Sequence, residues 1–516
     1  MMNRRTFLQT SAVATAAGAL TSRLESAAAS QSTINGATMA NDICFLSARE
    51  MAAQIARRKL SAREVMAAHL AQIARVNPKV NAIVAKLDDA QCLALADDAD
   101  KKLARAKSGN AKVGPLHGLP IAHKDLEAAI GFPWTRGSLI YKNDMPAEDS
   151  GLVARLRGAG ALTIGKTNTP EFGMGSHTYN KVYGITRNPY DPTKSAGGSS
   201  GGAAVALATG MLPIADGSDF GGSLRNPGNF NNIVGFRPSV GLVTTAPTDM
   251  PHLGYSVKGP MARTVSDVAF LLSVTAGPDS RDPGTFPIDP SIFAKPLAKN
   301  AKGVRVAWCP SLGGLPMDPR VLSVLDAQRK TFEDLGCIVE DACPPGIAQA
   351  DEIFLTIRRW RSWARYGALL KDHRDKMKPE AIEETELGAK ITADQVARAM
   401  ASQAALMQRM AVFQQKYSFL LCAVNQVPPF DAEIDWPHEV GGVKMTHYVE
   451  WMKSACWIST TFCPALSVPA GFSSDGLPVG IQIVGRFRDD LSVLQMGYAF
   501  EQATKVGLKR PPISLA

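Results

Sequence analysis

The chain has 516 residues, 45% apolar and 20% charged, with a formal net charge of +9. This is the composition of an ordinary soluble globular protein, long enough for two or three average domains and a large buried core. No lysine-rich run and no interleaving of basic with aromatic residues accompanies the charge, which therefore gives no case for nucleic-acid binding.

Residues 1–29 read as a secretory leader. Asn3-Arg4-Arg5-Thr6-Phe7-Leu8 carries the paired arginines and following apolar residues of a twin-arginine signal. A short, mildly apolar core (11–20) and the small residues Ala27-Ala28-Ala29 complete it, so a periplasmic or secreted product is expected. The stretch is too short and too mild to span a bilayer. Its removal takes away Arg4, Arg5, Arg23 and Glu25, leaving +7 of the +9. The eight cysteines (44, 92, 309, 337, 343, 422, 456 and 463) never form C-x-x-C. Their scatter suits buried single thiols better than a disulfide framework, with Cys337 and Cys343 the closest couple should any pair form.

Ser47 opens a helical pattern, and Ser61-Ala62-Arg63-Glu64 is a capping box leading a second helix that ends before Asn77-Pro78. A third alanine-rich helix covers roughly 88–107. Pro120-Ile121-Ala122-His123-Lys124-Asp125 reads as a buried strand delivering a lysine to its end. Residues 151–160 give a helix and 161–165 a strand. There, Gly160 to Thr167 matches the phosphate-loop pattern G-x-x-x-x-G-K-T letter for letter. Its intervening positions are the apolar residues of a strand, and Asn168-Thr169-Pro170 follows in place of a helix start, so no nucleotide site is expected. A Pro-, Asp- and Gly-rich connection occupies 276–300. Then come a strand at 302–310, a helix at 318–335, a strand at 337–342 and a charged helical stretch at 353–417 with few breakers. Strands at 417–425 and within 464–486 precede a final helix. This alternation argues for an α/β architecture around a central sheet. Within the charged stretch, a solvated helix face accounts for Arg358-Arg359-Trp360-Arg361 better than substrate contact does.

The chain is organised around residues 195–226. Two glycine-flanked serine clusters, GGSSGG at 197–202 and FGGS at 220–223, bracket an apolar run that reads as a buried helix and then a strand, with Gly210 at the helix end. Glycine beside serine lets the backbone come close to a ligand, and the unit would bring two distant serines to one point. A serine nucleophile, a base and backbone donors for an oxyanion would make a hydrolase. Ser223 follows Asp219-Phe220-Gly221-Gly222, where successive N–H groups can converge on one anion. His123 and Lys124 are both candidates for the base, and adjacent strand positions send them to opposite faces. A buried lysine can be neutral because desolvation depresses its pKa. Alternatively, Lys124 pairs with a carboxylate and the glycines only pack tightly.

These stretches resemble the amidase signature family. GGSSGGAAVALATG followed by GSDFGGSLRNPGNFNNIVGFRPSVGLV is close to that family's defining stretch. GLPIAHKDL, GKTNTPEFGMGS and residues 464–486 extend the likeness over roughly 45–275 and 415–505, with 276–415 weakly matched. The resemblance implies an α/β/α fold, a large mixed central β-sheet covered by helices on both faces. It implies a single catalytic domain over 30–516, with 276–415 as a variable, substrate-shaping region. It also implies a Ser–cis-Ser–Lys triad, with Ser223 the nucleophile, Ser199 the bridging serine after a cis peptide, and Lys124 the base.

The chemistry so implied is acyl transfer. Lys124 takes a proton from Ser199, which takes one from Ser223, and Ser223 attacks the amide carbonyl. Backbone N–H groups of Phe220, Gly221, Gly222 and Ser223 hold the oxyanion. Ser199 protonates the leaving amine, and water releases the acid. Ser200 is expected to support the triad by a hydrogen bond, and Asp219 and Arg225 to tie the loop together. Gly175 and Ser176 either line the acyl pocket or form a plain turn. No metal or organic cofactor is implied. The expected function is an amidase acting on a small or peptide-like amide, as a monomer or homodimer, with no nucleic-acid partner and no stable membrane insertion. A carbamate, anilide or ester hydrolase is the alternative. The export leader disfavours a glutaminase subunit of a tRNA-dependent amidotransferase, since charged tRNA is cytoplasmic. The presence of all three triad residues disfavours a non-catalytic binding protein.

Overall fold

The computed structural model describes residues 43–107, 112–248 and 250–515, so the expected leader lies outside the described residues. Strands β1 (Ile83–Val84), β2 (Pro120–Lys124) and β3 (Leu162–Thr167) form a small sheet in the order β1-β3-β2. Strands β4 (Tyr179–Asn180) and β5 (Gly184–Ile185) form a hairpin. The main sheet draws on β6 (Ala215–Asp219), β7 (Val234–Arg237), β8 (Val257–Ala262), β9 (Arg305–Trp308), β10 (Ile338–Asp341) and β11 (Phe419–Ala423). After a second hairpin, β12 (Glu439–Val440) with β13 (Val443–Lys444), it is completed by β14 (Ala465–Phe472) and β15 (Pro478–Val484). Its eight strands run in the order β10-β9-β11-β15-β14-β7-β8-β6. They are parallel where β9 meets β10 and β11 and antiparallel elsewhere, a mixed sheet in an α/β fold.

The small and main sheets meet at β2 and β6, where the Asp216 carboxylate bridges them. Asp216 of β6 accepts the backbone N–H of Lys124 at 2.8 Å through Oδ1 and bonds His123 Nδ1 through Oδ2. The inner strand β11 is a continuous apolar run, Phe419–Ala423, every residue buried, as expected where a sheet is covered on both faces. The largest core cluster reaches from Ala48 to Phe500, where the rings of Phe332 and Phe500 stack at 4.9 Å.

Local chemistry sets the helix ends. Ser61 and Glu64 make both bonds of the capping box at the start of the helix Ala62–Val80. That helix runs through Pro78 instead of ending before it. The proline sits in the last turn, and left-handed Asn81 (φ 51°) ends the helix. The expected strand across Met211–Ala215 begins only at Ala215, following Gly210, which sits just past the helix Gly201–Ala208 with φ +72°. The stretch expected to be helical over 353–417 is three helices, Ala350–His373, Pro379–Gly388 and Ala393–Lys416. Pro379 holds Lys378 extended, and Thr392 starts a new capping box after Gly388.

The cysteine expectation needs a correction as well: Cys309 and Cys343 are disulfide-bonded, with Cα atoms 5.4 Å apart. The parallel strands β9 and β10 end side by side, each followed within two residues by one of these cysteines. Cys337 precedes β10 and is separated from Cys343 by its extended length. The remaining six cysteines are free and buried.

Candidate active site

Lys124 is the last residue of β2 and is completely buried. Its Nζ lies 2.8 Å from Ser199 Oγ and 3.1 Å from Ser218 Oγ. Among the described residues no carboxylate comes within ion-pair distance of this amine. Burial pushes its pKa down to about 7, against the upward pull of the Glu127, Asp219 and Asp216 carboxylates. An amine that is neutral for much of its time near pH 7 can accept the Ser199 hydroxyl proton. His123 goes the other way. Its ring is fully buried between Asp216 and Thr163 Oγ1, the latter at 3.1 Å, and is hydrogen-bonded to neither Ser199 nor Ser223.

Ser199 enters through a cis Gly198–Ser199 peptide, just before the buried helix Gly201–Ala208. Ser223 stands on the turn after β6, ahead of the helix Arg225–Phe230, and is 9% exposed. The Ser200 N–H donates to the Ser223 carbonyl at 3.2 Å and so ties the two serine segments together. Among the described residues no hydrogen bond joins the Ser199 and Ser223 hydroxyls directly. The hydrogen bond that Ser200 makes to the Ser223 segment therefore comes from its backbone, since its buried Oγ has no hydrogen-bond partner among the described residues.

Asp219 organises the turn. Its carboxylate accepts the N–H groups of Gly222 at 2.8 Å and Leu224 at 3.3 Å, and pairs with Arg225 at 3.0 Å and Arg237 at 3.2 Å. Burial alone would push this carboxyl up, but the two guanidinium groups outweigh it and hold the acid well below the usual carboxylate range. One expected oxyanion donor is thereby lost, because the Gly222 N–H is already given to Asp219. The amides of Phe220, Gly221 and Ser223 have no acceptor among the described residues. Gly221 leaves no room for a side chain, since a Cβ would fall 2.7 Å from Phe354 and 3.1 Å from Cys456 Sγ.

Ser176 Oγ accepts from Asn226 Nδ2 at 2.7 Å, and left-handed Gly175 (φ +89°) faces Tyr448 and Lys378. A cavity of about 310 Å³ opens beside Ser218 and is lined by Leu126, Trp134, Phe172, Lys258, Arg361 and Tyr366 among others. The arginine run is therefore not a solvated face. Arg358 is buried, with Nε 3.0 Å from Glu384 and a further bond to the Tyr448 hydroxyl, and Arg361 lies 5.2 Å over the Phe220 ring at the cavity wall. Every fourth residue of this helix from Ala350 to Tyr366 is buried, so Arg358 falls on its inner stripe. Lys166 of the phosphate-loop look-alike lies in β3 and bonds the Glu127 carbonyl, with no loop around it.

Three contributors went unnoticed in the sequence: Asp216, Ser218 and the Glu127–Lys258 ion pair. The first two alternate along ADGSD and so share a face of β6, a period that marked them in advance.

The Amidase family model matches residues 64–494, and the model of the twin-arginine translocation signal matches residues 1–21. An acylamidase from Rhodococcus erythropolis is 35% identical over 91% of this chain and 98% of its own length. A glutamyl-tRNA(Gln) amidotransferase subunit from Thermosynechococcus vestitus is 30% identical over 90% and 99%. A bacterial aryl acylamidase of solved structure superposes with a TM-score of 0.83 at 28% identity, covering 90% of this chain and 99% of that one. No helix among the described residues is long and apolar enough to cross a membrane. A signal that directs export thus precedes a catalytic fold matched almost end to end, and the chain belongs to the amidase signature family.

Proposed function

We propose that this protein hydrolyses an amide C–N bond through a Ser223 acyl-enzyme, with Lys124 as base and Ser199 as the proton bridge. The contact of 2.8 Å between a fully buried, unpaired Lys124 amine and Ser199 Oγ carries the proposal. Lys124 accepts the Ser199 proton, Ser199 accepts that of Ser223, and the freed Ser223 oxygen adds to the carbonyl. The Ser199 hydroxyl must turn from Lys124 towards Ser223 for the relay to close. The amides of Phe220, Gly221 and Ser223 face the developing oxyanion, each donor being worth ~3 kcal/mol in the transition state. The tetrahedral intermediate collapses as Ser199 returns a proton to the leaving nitrogen. Water then attacks the acyl-enzyme by the same relay.

The cavity favours an aromatic amide. Trp134, Tyr141, Phe172 and Tyr366 line it together with Glu127, Arg136, Lys258, Arg361 and Arg365, so an aryl group would meet ring edges and guanidinium groups there. The acylamidase and aryl acylamidase relatives support the same choice. Arg361, Tyr366 and Leu369 also give 276–415 the substrate-shaping part in this scheme. The twin-arginine signal supports an enzyme that works outside the cytoplasm, away from charged tRNA.

The test is a panel of anilides, aliphatic amides, carbamates, esters and glutamine offered to the mature protein. Anilide turnover with an initial burst of one amine per enzyme, lost in Ser223→Ala, is the expected result. Turnover surviving in Ser223→Ala would overturn the mechanism, and turnover of glutamine alone would overturn the substrate class.

A further inference from the structure

Three carboxylates pull on the charge of the Lys124 amine: Glu127 just beyond β2, and Asp219 and Asp216 on β6. Each favours the charged ammonium and so opposes its use as a base. Two are answered inside the fold. Asp219 is held by Arg225 and Arg237, and Asp216 by His123 and the Lys124 backbone N–H. Glu127, 2% exposed, is met by Lys258, whose Nζ lies 2.7 Å from Oε2; the same oxygen accepts from Ser150 Oγ at 2.6 Å. Lys166 also reaches this turn, but its Nζ goes to the Glu127 backbone carbonyl and lies 3.6 Å from Asp125. The Glu127 carboxylate is left to Lys258.

Strand register fixes where Lys258 stands. It lies on β8 directly opposite Ser218 of β6, and opposed residues of an antiparallel pair present their side chains to the same face. Ser218 Oγ is in turn 3.1 Å from Lys124 Nζ. Lys258 is thus a second cation on the face that receives Lys124.

We propose that Lys258 is a positioning residue for the reaction: paired with Glu127 and standing across from Ser218, it keeps Lys124 available as the free base. The role rests on Lys124 being the base, as proposed above. The charged and titratable groups on the elements around that amine are His123 from β2, and Asp125 and Glu127 from the turn after it. Lys166 comes from β3, Asp216 and Asp219 from β6 with Arg225 and Arg237 behind them, and Lys258 from β8. Of these, only Glu127 and Lys258 line the cavity.

The experiment follows the rate at which a fluorophosphonate labels Ser223 between pH 5 and 10, a readout of nucleophile activation that needs no amide turnover. Lys258→Met should move the acid limb about one pH unit upward, roughly a tenfold loss of rate below its midpoint. Lys258→Arg should restore the wild-type midpoint, Glu127→Gln should move it downward, and the double variant should follow Glu127→Gln. A Lys258→Met midpoint equal to wild type, with only the plateau lowered, overturns the role. If Lys258→Met does not fold, an unmoved midpoint in Glu127→Gln overturns it instead. Wild-type labelling in Lys124→Ala would bring down the base assignment itself. Lost labelling there, with an unmoved midpoint in Lys258→Met, would bring down only the role of Lys258.

Discussion

His123 and Lys124 are neighbours on one strand, and their side chains end on opposite faces of it. His123 bonds Asp216 and Thr163, while Lys124 Nζ stands 2.8 Å from Ser199 Oγ. Asp216 joins the two residues, since it also accepts the Lys124 backbone N–H. The histidine therefore braces the strand that presents the lysine, and substitutions should separate the two roles.

Lys124→Ala is expected to lower kcat/KM by roughly 10³-fold or more, in line with loss of a catalytic base. The cavity it leaves should have a modest effect on the melting temperature. His123→Gln should do the reverse. It leaves buried Asp216 with a poorer partner, at a cost of about 1–3 kcal/mol in stability, while kcat at a permissive temperature stays within tenfold of wild type. Circular-dichroism melting beside steady-state kinetics reads both. A stable but inactive His123→Gln with an active Lys124→Ala would reverse the assignment.

The pH profile follows from burial of Lys124. Only the neutral amine accepts a proton, and burial holds its pKa at about 7. The sign is therefore a rise of kcat/KM with pH through about 7 and a plateau above it, with activity about tenfold below the plateau one unit under the midpoint. The same shift acts on folding. Between the folded value and the ordinary lysine value the unfolded chain binds more protons, so this group adds stability as pH rises through that window. A kcat/KM midpoint near pH 10 would show that the site does not desolvate the amine.

Asp219 predicts a joint failure of fold and turn. Removing its carboxylate in Asp219→Ala strands Arg225 and Arg237, both fully buried, and frees the Gly222 and Leu224 amides. Breaking such a buried cluster costs about 3–5 kcal/mol. Gly222→Ala should spare more of the fold and still harm kcat, because φ is +118° and a Cβ would lie 2.6 Å from the Ala455 Cβ. Distortion of the turn by that contact should cost roughly 10²-fold in kcat. A Gly222→Ala enzyme with wild-type kcat would mean that the turn does not serve the oxyanion.

Much of this arrangement is legible in the residues themselves. The glycine-flanked serines mark backbone that must approach closely, and strand parity sends His123 and Lys124 to opposite faces, though only the family resemblance picks Lys124 as the base. Long-range pairing is harder to read. Nothing local says that Lys258 faces Ser218, because that register depends on how β8 returns beside β6. The charge of Arg358 suggests a solvated face, but its place on the i, i+4 stripe with Phe354 and Ser362 decides the matter and turns it inward. The cysteine pair is set by long-range pairing too, since β9 and β10 bring Cys309 to Cys343 across a separation of 34 residues. The helix through Pro78 shows that a proline signal can be overridden in a final turn.

That disulfide ties the last prediction to the leader. In the chain-entropy picture a cross-link closing a loop of 34 residues adds ~3–4 kcal/mol, by restricting the unfolded chain. Such a bond persists in an oxidising compartment and not in a reducing cytoplasm. Protein recovered after export should therefore carry a Cys309–Cys343 bond, detectable as a cross-linked peptide pair, and reductant should lower its apparent melting temperature by a few degrees. Replacing Arg4 and Arg5 by lysine should hold the chain in the cytoplasm, where both thiols alkylate after unfolding. Cys309→Ser/Cys343→Ser should melt like the reduced wild type and keep its kcat/KM, because the pair lies beyond the ends of β9 and β10 and does not line the cavity. Exported protein with two free thiols at these positions, or continued export of the double-lysine variant at the normal rate, would each break the link between leader and disulfide.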